Sequence, residues 1–372
     1  MEFVIKRDLF IKAATGISGM TTKQTLSPVL SGMLLVVSSG NLTLVGSNSD
    51  IIMKQVIPLC SNDLLLIEEG SVLVPAKLFL DIIKKLPETI NVKGLSHCQI
   101  GITSGEIKLR INGLNPDDYP ELPKMEAAQA ITLNKSEISA LFKQTAFAAA
   151  KNGTKPVLCG INMSISEGKI RCAATNSHRL ASKLLQIANQ DIRCSIILPN
   201  KGINALIRIL DHAESDISLF LTDNYMIFQM ENITMYLRLV EGNYPDISML
   251  IPKVHQTEIS VSTKSFLEGI ERASFVASNR NHTIQLIINS ETELLLVSAS
   301  AELGEISERQ LMHSIKNELD LKITFDGVFM SEALKTIQTT ETILRFGGTM
   351  RSILVTPSGD DSLLHLISPV RA

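Results

Sequence analysis

The chain has 372 residues, 45% hydrophobic and 20% charged, with a formal net charge of -3. That length suits two or three domains with ordinary globular cores. The charge excludes a uniformly basic nucleic-acid binder and leaves only a segregated charge distribution as a route to one.

The five cysteines, Cys60, Cys98, Cys159, Cys172 and Cys194, contain no C-x-x-C pair. Reduced thiols in a cytoplasmic protein are therefore expected, with no metal and no cofactor. Residues 1–6 lack a signal-peptide pattern, and no apolar run approaches the ~20 residues that cross a bilayer. The reading is a soluble cytoplasmic chain with no membrane partner.

In the first third, residues 3–6 read as a strand. A helix over 7–19 carries Leu9, Phe10, Ala13 and Ile17 at helical spacing. Residues 29–45 alternate about Gly40-Asn41 as a hairpin. Residues 71–75 form a strand that runs through Pro75 into a helix over 76–86, with Leu78, Phe79, Ile82, Ile83 and Leu86 on one face. Strands follow at 90–92 and 107–111, then a turn cluster at 115–120.

The second third begins with a strand at 131–133. Asn134 and Glu137 have capping-box spacing for a helix reaching about residue 150. A hairpin follows from Lys155-Pro156-Val157-Leu158-Cys159-Gly160 and closes on the surface turn around Asn176-Ser177-His178. A strand at 195–199 leads into a helix over 201–210. The third repeats the order: strand 258–261, helix 263–277, hairpin 284–299, strand 322–325, helix 329–337, and strands 353–355 and 363–367.

Pro156-Val157-Leu158-x-Gly160 echoes Pro28-Val29-Leu30-x-Gly32 at an offset of 128. Residues 195–199 echo 71–75 at 124, and Tyr244-Pro245 echoes Tyr119-Pro120 at 125. These offsets match one third of the chain. They predict three sibling α+β domains, with boundaries at 1–124, 125–252 and 253–372, rather than a solenoid of short repeats.

The six predicted helices and their flanks hold fourteen basic residues against seven acidic ones, a net +7 that leaves -10 elsewhere. Basic helices in an acidic chain suggest a helix-lined surface facing a polyanion, with phosphate contact rather than base readout. No Walker A, G-x-G-x-x-G, G-x-S-x-G or H-E-x-x-H motif occurs. His178 beside Ser177 and Arg179 has no partner named by the sequence, so a packed turn histidine is the plainer reading. No enzymatic activity is expected.

Together, the repeat, Thr175-Asn176-Ser177-His178-Arg179-Leu180, Tyr244-Pro245-Asp246 and Ser368-Pro369-Val370-Arg371 resemble the bacterial DNA polymerase III β subunit family, the sliding clamps. The resemblance implies two helices per domain packed on antiparallel sheets. It also implies a head-to-tail homodimeric ring around duplex DNA, bound without sequence preference. The ring would tether the replicative polymerase as a processivity factor. Implied partners are the DNA polymerase III catalytic subunit, the clamp-loader complex, and other DNA polymerases and repair proteins carrying clamp-binding peptides.

By the same resemblance, a peptide pocket between the second and third domains is lined by Leu158, Thr175, Ser177, His178, Arg179, Leu180, Pro245, Met249 and Leu250. Met350, Ser352, Leu366, Ile367, Ser368 and Val370 complete it. The chain has Asn176-Ser177 where the family usually has Asp-Gly, Met249 where Arg is frequent, and Ser368 where an apolar residue is frequent. DNA contact falls to Lys12, Lys77, Lys84, Lys143, Lys201, Arg208 and Arg272 on helices, and to Lys23, Gln24, Lys151, Asn152 and Lys155 on loops. Pro156 and Val157 stand where the family has a loop aromatic. The dimer interface pairs Leu109 and Ile111 with Phe275 and Val276. A competing reading is a non-catalytic three-domain adaptor or a metabolic enzyme.

Overall fold

The computed structural model describes residues 1–21, 27–38, 40–59, 63–123, 130–188, 192–277, 282–300, 304–317 and 320–370. The first repeat runs β1 (Glu2–Lys6), α1 (Arg7–Met20), β2 (Gly32–Ser38), β3 (Asn41–Ser47), β4 (Ile51–Pro58), β5 (Leu64–Glu68), β6 (Gly70–Pro75), α2 (Ala76–Ile83), β7 (Thr89–Gly94), β8 (Gln99–Ser104) and β9 (Ile107–Asn112). The second runs β10 (Ile131–Leu133), α3 (Lys135–Lys143), β11 (Gly160–Ser166), β12 (Lys169–Thr175), β13 (Arg179–Gln186), β14 (Cys194–Pro199), α4 (Asn200–Leu210), β15 (Ile217–Leu221), β16 (Tyr225–Met230) and β17 (Ile233–Arg238). The third runs β18 (Thr257–Ser262), α5 (Thr263–Val276), β19 (Thr283–Ile288), β20 (Glu293–Ser300), β21 (Gly304–Asn317), β22 (Leu321–Asp326), α6 (Gly327–Leu334), β23 (Glu341–Phe346), β24 (Ile353–Pro357) and β25 (Leu363–Ile367).

Helix starts follow local chemistry. Ser262 caps α5 by accepting from Ser265 N, and Asp326 caps α6 by accepting from Val328 N and Phe329 N. Each satisfies amides that have no partner inside the helix. Strands alternate buried and half-buried residues, as in β19 and β23, because successive side chains point to opposite faces.

The echoed Pro-Val-Leu-x-Gly segments are not strand from their first residue, as the hairpin reading had it. Each forms a 3-10 turn, Pro28–Ser31 and Pro156–Cys159, before its strand begins at glycine. A Cβ on Gly32 would sit 2.6 Å from Leu73 Cδ1, and one on Gly160 would sit 2.5 Å from Ile197 Cγ2. The two positions are small for the same packing reason.

The helix expected to run to residue 150 ends at Lys143. Buried Thr145 turns its hydroxyl back onto Leu141 O at 2.8 Å, and a 3-10 turn at Ala146–Ala148 follows. On α2, Leu78 is exposed rather than part of the apolar face; Phe79, Leu80 and Ile83 are buried.

Two compact units emerge: Met1–Lys135 with Arg208–Leu239, and Ser136–Ile207 with Val240–Ala372. The first holds the sheets β5-β1-β7-β8-β9 and β10-β15-β16-β17-β4-β3-β2-β6. Its core includes Phe10, stacked on Phe3 at 6.4 Å and edge-on to Phe79 at 5.6 Å, an arrangement that joins β1, α1 and α2. The second unit holds one twelve-stranded sheet, β14-β11-β12-β13-β25-β24-β23-β18-β21-β20-β19-β22. Its core includes Phe266, Phe325 and Phe346.

These units divide the middle repeat because sheets continue from one repeat to the next. The last strand of the second repeat, β17, pairs antiparallel with β4 of the first. The last strand of the third, β25, pairs antiparallel with β13 of the second. Strand β13 holds the fourth place in its repeat, as β4 does in the first. One edge-to-edge rule is therefore used twice.

Candidate functional site: an apolar groove on a continued sheet

The groove is built where β13 meets β25. Register sets Arg179 against Ile367, Leu180 against Leu366 and Ala181 against His365. Strand β24 continues it, with Ile353 against Ile367 and Leu354 against Leu366. Strand alternation then sorts the side chains. Leu180, Leu354 and Leu366 share one face with Ala173 and Ile247, flanked by half-buried Tyr244, Ile251 and Leu364. Leu180, Leu354 and Leu366 are themselves buried, whereas Met249 (83%), Met350 (57%), Leu250 and Val370 are apolar and exposed. Flexible thioethers over branched aliphatics make an adaptable apolar surface.

The turn joining β12 to β13 sets the groove's edge. Asn176 Oδ1 accepts from His178 N and Arg179 N, both at 3.0 Å. Thr175 Oγ1 donates to Arg179 O at 2.6 Å and accepts from Ser177 N at 3.1 Å. An Asn carbonyl oxygen thus does what an Asp carboxylate does at this position. Ser177 has φ +75°, a conformation glycine adopts without cost. The Asn176-Ser177 departure therefore keeps the turn's bonds and adds backbone strain.

Thr175 N donates to Tyr244 Oη at 3.0 Å, which ties the turn to the segment before the 3-10 turn Ile247–Met249. Burial pushes the Tyr244 phenol up to about 12, although the Thr175 amide acts in the opposite sense. Asp246 accepts from Ser248 N at 2.9 Å, and this bonding to Ser248 holds its carboxyl below the usual range. On the other side, Ser368 N donates to His178 O, and Val370 N to Thr324 O, each at 2.8 Å. The C-terminal segment is thereby fixed beside the turn.

Two residues expected in the pocket lie on the opposite face. Ile367 belongs to the core with Phe266, Phe346 and Ile353. The Arg179 side chain is buried, paired with the Glu332 carboxylate and donating to Phe147 O. Its guanidinium lies 4.5 Å from the Phe329 ring centre and 5.2 Å from that of Phe147. The cause is the strand period: with Leu180 in the groove, its neighbour must face inward. Among the remaining pocket residues, Thr175 and Leu158 are buried, Ser352 and Ser368 are half-buried, and Ser177, His178 and Pro245 are exposed. His178 is therefore not the packed histidine the sequence suggested.

That role falls to His365, a residue sequence reasoning passed over. It is fully buried, and burial first, then the Arg179 and Lys183 charges, lower its pKa to about 3. Its Nε2 lies 3.0 Å from Thr336 Oγ1. That hydroxyl donates to Ala333 O at 2.7 Å, so Nε2 carries the proton and donates to it. The available signal was His365 itself, the one polar residue in the otherwise apolar run 363–367.

The cations expected at DNA lie on both units. Lys12, Lys77 and Lys84 are exposed on or next to α1 and α2. Lys143, Lys151, Asn152, Lys155, Lys201 and Arg208 are also exposed. Arg272 is exposed but engaged, with its Nε and Nη2 donating to Glu308 at 2.8 and 2.7 Å. Lys23 and Gln24 lie outside the described residues. Leu109 and Ile111 sit on β9, an edge strand whose sheet partner is β8. Phe275, 77% exposed, and half-buried Val276 end α5. Among the described residues, no group of three or more His, Cys, Asp or Glu side chains could hold a metal ion, and no helix is long and apolar enough to cross a membrane.

A thrice-repeated α+β unit, joined through its sheet edges and presenting an apolar groove beside a continued strand, defines a clamp-type modular fold. The chain belongs to the bacterial DNA polymerase III beta subunit family: models of its N-terminal, central and C-terminal domains match residues 1–123, 132–246 and 248–371. It is 34% identical over 379 residues to the beta sliding clamp of Halalkalibacterium halodurans, covering all of both chains. It is 35% identical over 375 residues to that of Staphylococcus aureus, covering 100% of this chain and 99% of the relative. Its fold matches the DNA polymerase sliding clamp of Bacillus subtilis with a TM-score of 0.97 at 32% identity, covering 100% of this chain and 99% of that one. The beta subunit from Streptococcus pyogenes matches with a TM-score of 0.94 at 30% identity, covering all of both chains.

Proposed function

We propose that this chain is a processivity factor of DNA replication. Two copies close head to tail into a ring around duplex DNA, which the ring holds by topology. Each copy contributes three domains, bounded at about 1–124, 125–252 and 253–372 on the repeat reading. The protein is cytoplasmic, carries out no catalysis of its own, and is opened by a clamp-loader complex.

The observation that carries this reading is the pairing rule between repeats. The last strand of a repeat pairs with the fourth strand of the one before it. Applied to the whole chain, the rule leaves β9 at one end. At the other end it leaves the Gly304–Leu311 part of β21, which pairs with β20 alone while residues 312–317 pair with β18. A β9 joined to β21 of a second copy, and the reverse, closes the set and removes two open edges. Exposed Ile107, Leu109, Phe275 and Leu311 supply apolar surface for the joint, and Ile111 and Val276 border it.

The Leu180 groove takes the clamp-binding peptides of the DNA polymerase III catalytic subunit, of the loader, and of other polymerases and repair proteins. Its floor is Leu180, Leu354 and Leu366; Met249, Leu250, Met350 and Val370 form the rim, with Pro245, Ser177 and His178 at one end. The exposed lysines of α1, α2, α3 and α4, with Arg208, Lys151, Asn152 and Lys155, contact phosphates. Arg272, neutralised by Glu308, contributes less.

The test is retention of loader-assembled protein on nicked circular DNA before and after the circle is cut. Loss on cutting is expected of a closed ring. Equal retention on both forms would refute the topological mechanism.

A further inference from the structure

Within that reading, we infer that Arg179 is a positioning residue for the groove: it faces away from the bound peptide and locks the face that β13 presents. Its main chain is fixed by the turn, through Asn176 Oδ1 on its amide and Thr175 Oγ1 on its carbonyl. Its side chain is fixed by two other elements, Glu332 on α6 and the carbonyl of Phe147 in the Ala146–Ala148 turn. The Phe147 and Phe329 rings hold the guanidinium from the sides.

An apolar residue would fill this site without the cost of taking a cation out of water. What the cation adds is direction. The turn before it holds Ser177 at φ +75°, so the first strand residue after the turn is where the face of β13 is set. If residue 179 turned outward, Leu180 would turn inward and the groove would lose its floor. A planar donor set held by two separate elements permits one orientation only. His365 supports the same site by staying uncharged beside Arg179, with its Nε2 proton committed to Thr336.

The test measures affinity for the purified DNA polymerase III catalytic subunit, alongside thermal unfolding of each variant. Arg179→Met keeps the length and removes the charge and the fork; Arg179→Lys keeps the charge alone. Both should weaken binding by about tenfold or more, chiefly through faster dissociation. Val355→Ala, a core change on the same face of β24, two strands away from β13, should destabilise the fold comparably while leaving affinity within about twofold. If the Arg179 variants do not fold, Glu332→Gln serves instead; it leaves the rings and the Phe147 carbonyl in place and should weaken binding about threefold to fivefold.

Arg179 variants that bind like wild type would overturn the inference, as would Val355→Ala weakening binding as much as they do, or, in the fallback, Glu332→Gln binding like wild type. Leu180→Asp separates this from the groove reading. If Leu180→Asp retains full affinity, the groove itself is misassigned; if it loses affinity while the Arg179 variants do not, the positioning role alone fails.

Discussion

Protonation of His365 should make the second unit acid-sensitive, with a slope that the structure sets. The imidazole is fully buried and its pKa is about 3, against 6.5 in the unfolded chain. A folded pKa below the unfolded one gives stability that is complete above the unfolded value and is lost as pH falls toward the folded value. Between pH 7 and pH 5 the unfolded chain takes up about 0.7 more protons than the folded one, and integrated over that range the difference is about 2 kcal/mol of lost stability. Most of the effect comes from burial; Arg179 and Lys183 add to it.

The perturbation is His365→Gln, which keeps a neutral donor toward Thr336 and removes the titration. Urea unfolding at pH 7 and pH 5 should show the wild type losing about 2 kcal/mol more than the variant. At pH 7 the variant should be the less stable of the two, because a packed ring edge-on to Phe147 is lost. Equal pH slopes would refute the reasoning, as would an imidazole that titrates near 6.5 in the folded protein by nuclear magnetic resonance.

Three further outcomes follow from the same geometry. Ser177→Gly should raise stability by about 1 kcal/mol in thermal or denaturant unfolding, because it relieves a left-handed backbone without touching the bonds of Asn176. Leu109→Asp combined with Leu311→Asp should convert the homodimer to folded monomers in sedimentation, since carboxylates would have to be buried unpaired in the proposed joint. Reversing Lys12, Lys84, Lys151 and Arg208 to Glu should abolish loading onto DNA at physiological salt, whereas Arg272→Gln should change retention little, as its guanidinium is already paired with Glu308.

The architecture was legible because a repeat is a property of the sequence itself. Offsets near one third of the length, two helix patterns per third and proline-led strand starts recur whatever the packing, and the described residues carry six α-helices in that order. Binary patterning picked out Phe10, Ile17 and Phe79, all buried, because helical period and burial are coupled locally. Patterning failed where a neighbour decided the outcome. Leu78 matches the apolar face of its helix and is exposed. Strands β4, β5, β8, β13, β21 and β23 offered no signal distinct enough to be read in advance.

The groove shows the division most sharply. Its residues are scattered from Thr175 to Val370, and the resemblance brought them together. Which of them face the groove was not a sequence question. Arg179 and Leu180 are adjacent, as are Leu366 and Ile367, and in each pair the two side chains are buried on opposite faces of the sheet. Sequence alone determined the threefold unit, its helices and the cations they carry, because these depend on local period and composition. The tertiary structure decided which strand edges meet, which side of β13 and β25 turns outward, and where Arg179 and His365 are buried. Those outcomes rest on pairing register and burial, which exist only once strands far apart in the chain lie side by side.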